Sequence, residues 1–134
     1  MTKPIFLIGE AYGENEAKLK RPFVGASGVL LLNLLAEAEV IHLTAEDYAY
    51  IGKYYDTGNG AMIDAVWNMH PEVYRTNVIN QQPQANRIEA FCGGKREGIA
   101  GYPALVKGKY LRAEFEPELT RLGDEILEHD RDRS

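Results

Sequence analysis

The chain has 134 residues, a length that fits one domain, and its 45% hydrophobic and 26% charged content is that of a globular protein rather than a disordered or fibrous one. No apolar stretch reaches the roughly 18 residues of a spanning helix, the short apolar run after Met1-Thr2-Lys3-Pro4 lacks a leader's small-residue cleavage site, and the single cysteine, Cys92, excludes an internal disulfide or a site of several cysteines. The net charge of −5 sits in the last 22 residues, which hold eight acids and three bases, so residues 1–112 are neutral overall and a basic face for a phosphate backbone is not excluded.

A cytoplasmic location without a membrane partner is therefore expected. Ile5-Phe6-Leu7-Ile8, closed by Gly9, reads as a strand buried on both faces, as in a parallel sheet. Residues 9–25 read as a long structured loop carrying Lys18, Lys20 and Arg21. Ser27 then caps a helix to about Glu39, whose apolar residues Val29, Leu30, Leu31, Leu32, Leu34, Leu35 and Ala38 cover most of its circumference and predict burial. Thr44 ahead of Glu46-Asp47 marks a second helix start, Asp56 to Gly60 a turn, and Ala61 to Met69 a short helix. Val73 to Ile79 is the second strand, followed by a polar loop from Asn80 to Arg87. Phe91 to Gly108 reads as loop, and Lys109 to about Glu128 as a helix with Leu111, Phe115, Leu119, Leu122, Ile126 and Leu127 inward. Residues 1–128 are expected to form one domain and residues 129–134 a frayed polar tail.

Two strands joined by a crossover begin an α/β/α sandwich, yet a free-standing two-stranded sheet is marginal. Either the chain is the N-terminal part of a larger domain, the reading favoured here, or residues 42–72 supply further strands, or sheet edges pair between subunits.

Gly9-Glu10-Ala11-Tyr12-Gly13 matches neither a dinucleotide-binding fingerprint nor a P-loop. An ordered set is more specific: Phe6-Leu7-Ile8-Gly9-Glu10-Ala11, Gly13 and Glu16; Arg21-Pro22-Phe23-Val24-Gly25, Gly28 and Leu30-Leu31; Thr76-Asn77-Val78; then Pro83 and Asn86-Arg87. This series resembles the uracil-DNA glycosylase superfamily, nearest to its family-4 branch and the related phage enzymes, over about residues 5–93 and more loosely to 128. The resemblance implies a three-layer α/β/α sandwich with a parallel sheet, incomplete at the C-terminus, and a DNA-repair hydrolase that flips uracil out of DNA and cleaves its N-glycosidic bond.

Base extrusion needs an aromatic face and a reader of the Watson–Crick edge. By resemblance, Phe23 stacks on the base. Asn77 accepts from uracil N3–H and donates to O4, a complement that cytosine reverses. Gly9 and Ala11 line the substrate pocket, Asn86 positions the water, and Glu10 and Glu16 shape the catalytic loop. Lys18, Lys20, Arg21 and Arg87 are the expected DNA-phosphate contacts, although each also reads as an ordinary surface charge.

Three departures stand out. Tyr12 replaces the usual proline and either narrows the pocket or stacks on a neighbouring base. The family-4 iron–sulfur cluster, held by four cysteines, cannot form in a chain with one; no cofactor or metal is expected. The late histidine motif, donor to the uracil oxygen, would follow two further strands, and the chain stops before it. A catalytically impaired or truncated homologue acting as a DNA- or protein-binding module is the alternative, with self-association through an open sheet edge.

Overall fold

The computed structural model describes residues 5–131. Ile5–Gly9 forms strand β1 and Val73–Asn77 strand β2, paired in parallel with Ile5 opposite Val73 and Gly9 opposite Asn77. Between them run α1 (Glu14–Leu19), α2 (Ala26–Glu37), α3 (Ala45–Thr57) and α4 (Ala61–Asn68). After β2, short 3₁₀ turns lead to a two-residue antiparallel pair, β3 (Cys92–Gly93) and β4 (Tyr110–Leu111), and α5 (Glu116–Arg131) closes the described chain. The protein is thus a mixed helix–strand fold around a small parallel sheet.

Alternation along the strands sends side chains to two faces. Ile5, Leu7 and Val73 enter the larger core with Val29 and Leu32 of α2, Ile51 and Tyr54 of α3, and Ile63, Val66 and Trp67 of α4. Phe6, Tyr74 and Thr76 turn the other way, onto α5. There the His129 ring lies 3.7 Å from that of Tyr74 and 5.9 Å from that of Phe6, and Thr76 donates to Glu125 at 2.7 Å. A second core of Ile79, Phe91, Ile99, Leu111 and Phe115, with Leu119 of α5 against it, gathers the chain beyond β2.

Local chemistry sets the boundaries. Thr44 and Asp47 form a reciprocal capping box at the start of α3, and Gly58 ends that helix in the left-handed region at φ 70°. The first strand, the helix start at Thr44 and the short helix α4 lie where the sequence places them.

Other elements differ. The loop expected between Gly9 and Gly25 contains α1, whose buried residue is a glutamate, Glu16, so it shows no apolar period. β1 is not buried on both faces, since Ile8 is 44% exposed. α2 is capped by the Gly25 backbone rather than by Ser27, and Leu30 and Leu34 are exposed, so only one stripe of it is buried. The predicted helix from Lys109 begins instead at Glu116. Leu111 lies in β4 and Phe115 in a 3₁₀ turn, yet both reach the second core, which mimics a helical period. The polar tail expected from residue 129 is helical to Arg131, because His129 packs on Tyr74 and Phe6; residues 132–134 lie outside the described residues.

The sheet has an open side. Ile5 N–H donates to Glu72 O at 2.7 Å and Val78 N–H to Gly9 O at 2.8 Å, so Ile5, Leu7 and Gly9 turn their backbone groups to β2. Phe6 and Ile8 turn theirs to the opposite edge, where no strand lies among the described residues. No described helix is long and apolar enough to cross a membrane.

Candidate functional site

Parallel pairing places Gly9 beside Asn77 at the C-terminal ends of both strands, the position at which the loops of parallel sheets form sites. A cavity of about 250 Å³ opens there. Gly9, Glu10, Ala11 and Gly13 line it from the first loop, Glu16 from α1, Phe23 and Ser27 from the segment entering α2, and Asn77 from the end of β2. The structure therefore brings Gly9, Glu10, Ala11, Glu16, Phe23 and Asn77 around one space.

Contact inside this cluster is close. A methyl group built on Gly9 would overlap Asn77 Oδ1 and stand 2.9 Å from Phe23 Cζ, so the ring and the amide both lie against a backbone that has no side chain. Asn77 is 3% exposed, and its Nδ2 is buried without a hydrogen-bond partner. A buried donor left unmatched costs free energy.

Phe23 is held in a strained conformation, φ 58°, in the left-handed region that non-glycine residues rarely adopt. Its carbonyl accepts from Trp67 Nε1 at 2.8 Å, and Gly28 lets α2 approach, because a Cβ there would overlap that same carbonyl. The preceding carbonyl, of Pro22, accepts from Arg75 Nη1 at 2.7 Å. Arg75 also donates to Asp64 Oδ1 at 2.9 Å, which receives Arg21 Nε at 3.0 Å. Burial alone would raise the Asp64 pKa, but the bonds from Arg75 and Arg21 outweigh it and hold the carboxyl below the ordinary aspartate value.

Glu16 is the tie between the two loops. Its Oε2 accepts from Val24 N–H at 2.9 Å, and Gly13 and Gly25 approach its carboxylate so closely that added Cβ atoms would stand 2.8 and 3.2 Å from its oxygens. Its role is to position the loops. Glu10 is exposed at the rim, shared with an apolar cleft of about 600 Å³ that Ile8, Tyr102, Leu105 and Leu119 help line.

The remaining expected residues lie elsewhere. Asn86 is exposed in a left-handed turn at φ 55°, its Oδ1 accepts from Gln82 Nε2 at 3.0 Å, and it does not line the cavity. Lys18 pairs with Glu14 at 3.6 Å, both side chains being exposed, and Arg87 lies exposed beyond Asn86. Lys20 and Arg21 line a separate cleft of about 300 Å³ along β2. Tyr12 also turns into that cleft and neither narrows the cavity nor faces it. Burial raises the pKa of its hydroxyl; nearby Glu118 adds to this and Arg121 opposes it.

None of the three histidines lines the cavity. His42 is exposed, His70 bonds Asp47 at 3.0 Å under α3, and His129 lies on Tyr74. Among the described residues no group of three or more His, Cys, Asp and Glu is arranged to hold a metal, and the Cys92 thiol, its pKa raised by burial, faces Ile88 O at 3.8 Å.

Comparison with known proteins finds no match among family models, curated proteins or solved structures.

Ser27, the supports Trp67 and Arg75, and Arg121, which donates to the Asn77 carbonyl at 2.8 Å, were not foreseen from the sequence. Ser27 read as a cap, although its place two residues after Gly25 in a loop-to-helix motif could have marked it. The other three act at long range, which spacing along a chain does not reveal.

Proposed function

We propose that this chain is a uracil-DNA glycosylase-like protein, an α/β/α sandwich that binds DNA and takes an extruded uracil into the cavity between Phe23 and Asn77. One observation carries the reading: an aromatic ring and a buried amide with an unpaired nitrogen converge on a backbone glycine at the ends of two parallel strands. An extruded base needs an apolar face to stack on and a polar edge to pair with. Phe23 supplies the face. Asn77 supplies the edge, with Nδ2 donating to uracil O4 and Oδ1 accepting from N3–H. Glycosidic hydrolysis joins water to the sugar C1′ and releases uracil with the electron pair of the broken bond.

A second reading, base binding without turnover, is favoured by the position of Asn86. The residue assigned to the water is exposed and bonded to Gln82, and no histidine lines the cavity as a donor to the leaving oxygen.

Fluorescence titration with oligonucleotides carrying a single uracil or a single cytosine tests the site itself. Tighter binding of the uracil strand is expected, and Asn77→Ala should weaken it by about 1 to 3 kcal/mol. Equal affinity for the two strands, untouched by Asn77→Ala, would overturn the reading. A gel-based excision assay on the same uracil strand separates the enzyme from the binding module.

A further inference from the structure

We infer that Arg121, on the face of the sheet opposite the larger core, is the positioning residue that fixes the Asn77 amide in the cavity; the inference rests on the cavity being a base site. Asn77 Nδ2 has no protein partner, so nothing on the side chain itself anchors its nitrogen. Its orientation is set by packing against Gly9 and by the position of its own main chain.

α5 supplies that constraint. Glu118, Arg121 and Glu125 follow one another at i, i+3 and i+7 and so share one helix face. Arg121 Nη2 donates to the carbonyls of both Asn77 and Val78, each at 2.8 Å, and Nη1 donates to Thr76 Oγ1 at 3.0 Å. Glu125 Oε2 accepts from Thr76 Oγ1 and from Arg121 Nη1, both at 2.7 Å, while Glu118 accepts from Asn80 N–H at 2.6 Å. Apart from the Arg121–Glu125 bond within α5, these bonds meet the chain where five-residue β2 ends, and there they add to the donations from Val78 N–H to Gly9 O and from Ile79 N–H to Glu10 O.

Side chains alternate along a strand, so the guanidinium on the Thr76 side and the Asn77 amide on the other are two faces of one peptide segment. Only a planar fork spans both carbonyls and the hydroxyl together; a lysine ammonium reaches fewer of them. Arg121 is thus a remote support that preorganises base reading without touching the base.

Arg121→Met and Arg121→Lys test this by two readouts. In fluorescence titrations the ratio of cytosine-strand to uracil-strand Kd is expected to fall about tenfold in Arg121→Met and to recover in part in Arg121→Lys. Affinity for a strand without uracil should change by less than about twofold, since phosphate contacts carry no base information. A support that only stabilises the fold would lower Tm and leave the ratio intact, and an intact ratio in folded Arg121→Met overturns the inference.

The second readout needs no ligand. In ¹⁵N spectra the side-chain amide pair of Asn77, assigned by its loss in Asn77→Asp, should move and broaden in Arg121→Met. If the wild-type chain fails to distinguish the two strands, the base-site reading falls, and an unmoved Asn77 amide pair then refutes the positioning role separately. Should Arg121→Met not fold, Glu125→Ala, which removes one anchor of Nη1, is read by the same criteria.

Discussion

At the scale of single residues, the cavity depends on an absent side chain. Gly9 sits between Phe23 and Asn77, and its replacement by alanine would drive a methyl group into the Asn77 carbonyl oxygen and onto the ring. Overpacking of this kind costs about 1 to 3 kcal/mol, and both groups forced aside are the proposed recognition groups. Gly9→Ala is therefore expected to lose uracil-strand selectivity while the far side of the fold stays intact. Titration together with circular dichroism checks it; a folded Gly9→Ala with full selectivity would remove Phe23 and Asn77 from the recognition role. Glu16 shows the converse case. Its carboxylate lines the cavity but accepts from the Val24 amide, and so holds two loops together.

At the scale of elements, α3 and the turn before β2 share one carboxylate. Asp47 Oδ2 accepts from Thr44 N–H at 3.0 Å as half of the capping box and also bonds His70 Nε2 at 3.0 Å, and Asp47 is 1% exposed. Thr44→Ala removes one cap bond and should cost about 1 kcal/mol. Asp47→Ala also strands His70 and should cost a further 1 to 3 kcal/mol or so. Urea denaturation would rank the two, and equal losses would mean that the Asp47–His70 bond adds nothing. The cap was legible in the sequence because Thr44 and Asp47 are three residues apart; the bond to His70 was not, since no local pattern encodes it. The same division runs through the molecule. β1 carries its apolar run and closing glycine openly, α4 starts directly after Gly60, and β2 reads as the first part of Val73 to Ile79. α1 packs through a glutamate and is invisible to apolar periodicity, whereas Leu111 and Phe115 imitate a helix because a short strand and a 3₁₀ turn face one core. In the site, the lining residues other than Ser27 were legible as loop motifs, and the supports from α4, β2 and α5 were not.

At the scale of the whole molecule, the cavity is held from three directions: by Glu16 within the loops, by Trp67 and Arg75 from the larger core, and by Arg121 from α5. The second of these depends on charge. Asp64 joins Arg75, whose side chain is 5% exposed, to the half-exposed Arg21, and Arg75 in turn grips the carbonyl before Phe23. Because the folded pKa of Asp64 lies below its unfolded value of about 3.9, its contribution is fully present above that value and is lost as pH falls through the folded one. Asp47 acts in the same sense: burial opposes its ionisation, but its bonds to Thr44 and His70 prevail and lower its pKa. Thermal melts should therefore show Asp64→Asn destabilised at pH 7, with its gap to wild type closing as the pH drops below about 4. Added salt should narrow the gap only in part, since screening reaches the exposed Arg21 arm and not the buried Arg75 arm. A gap unchanged from pH 7 to pH 2 would show that the Asp64 charge does not brace the Phe23 loop.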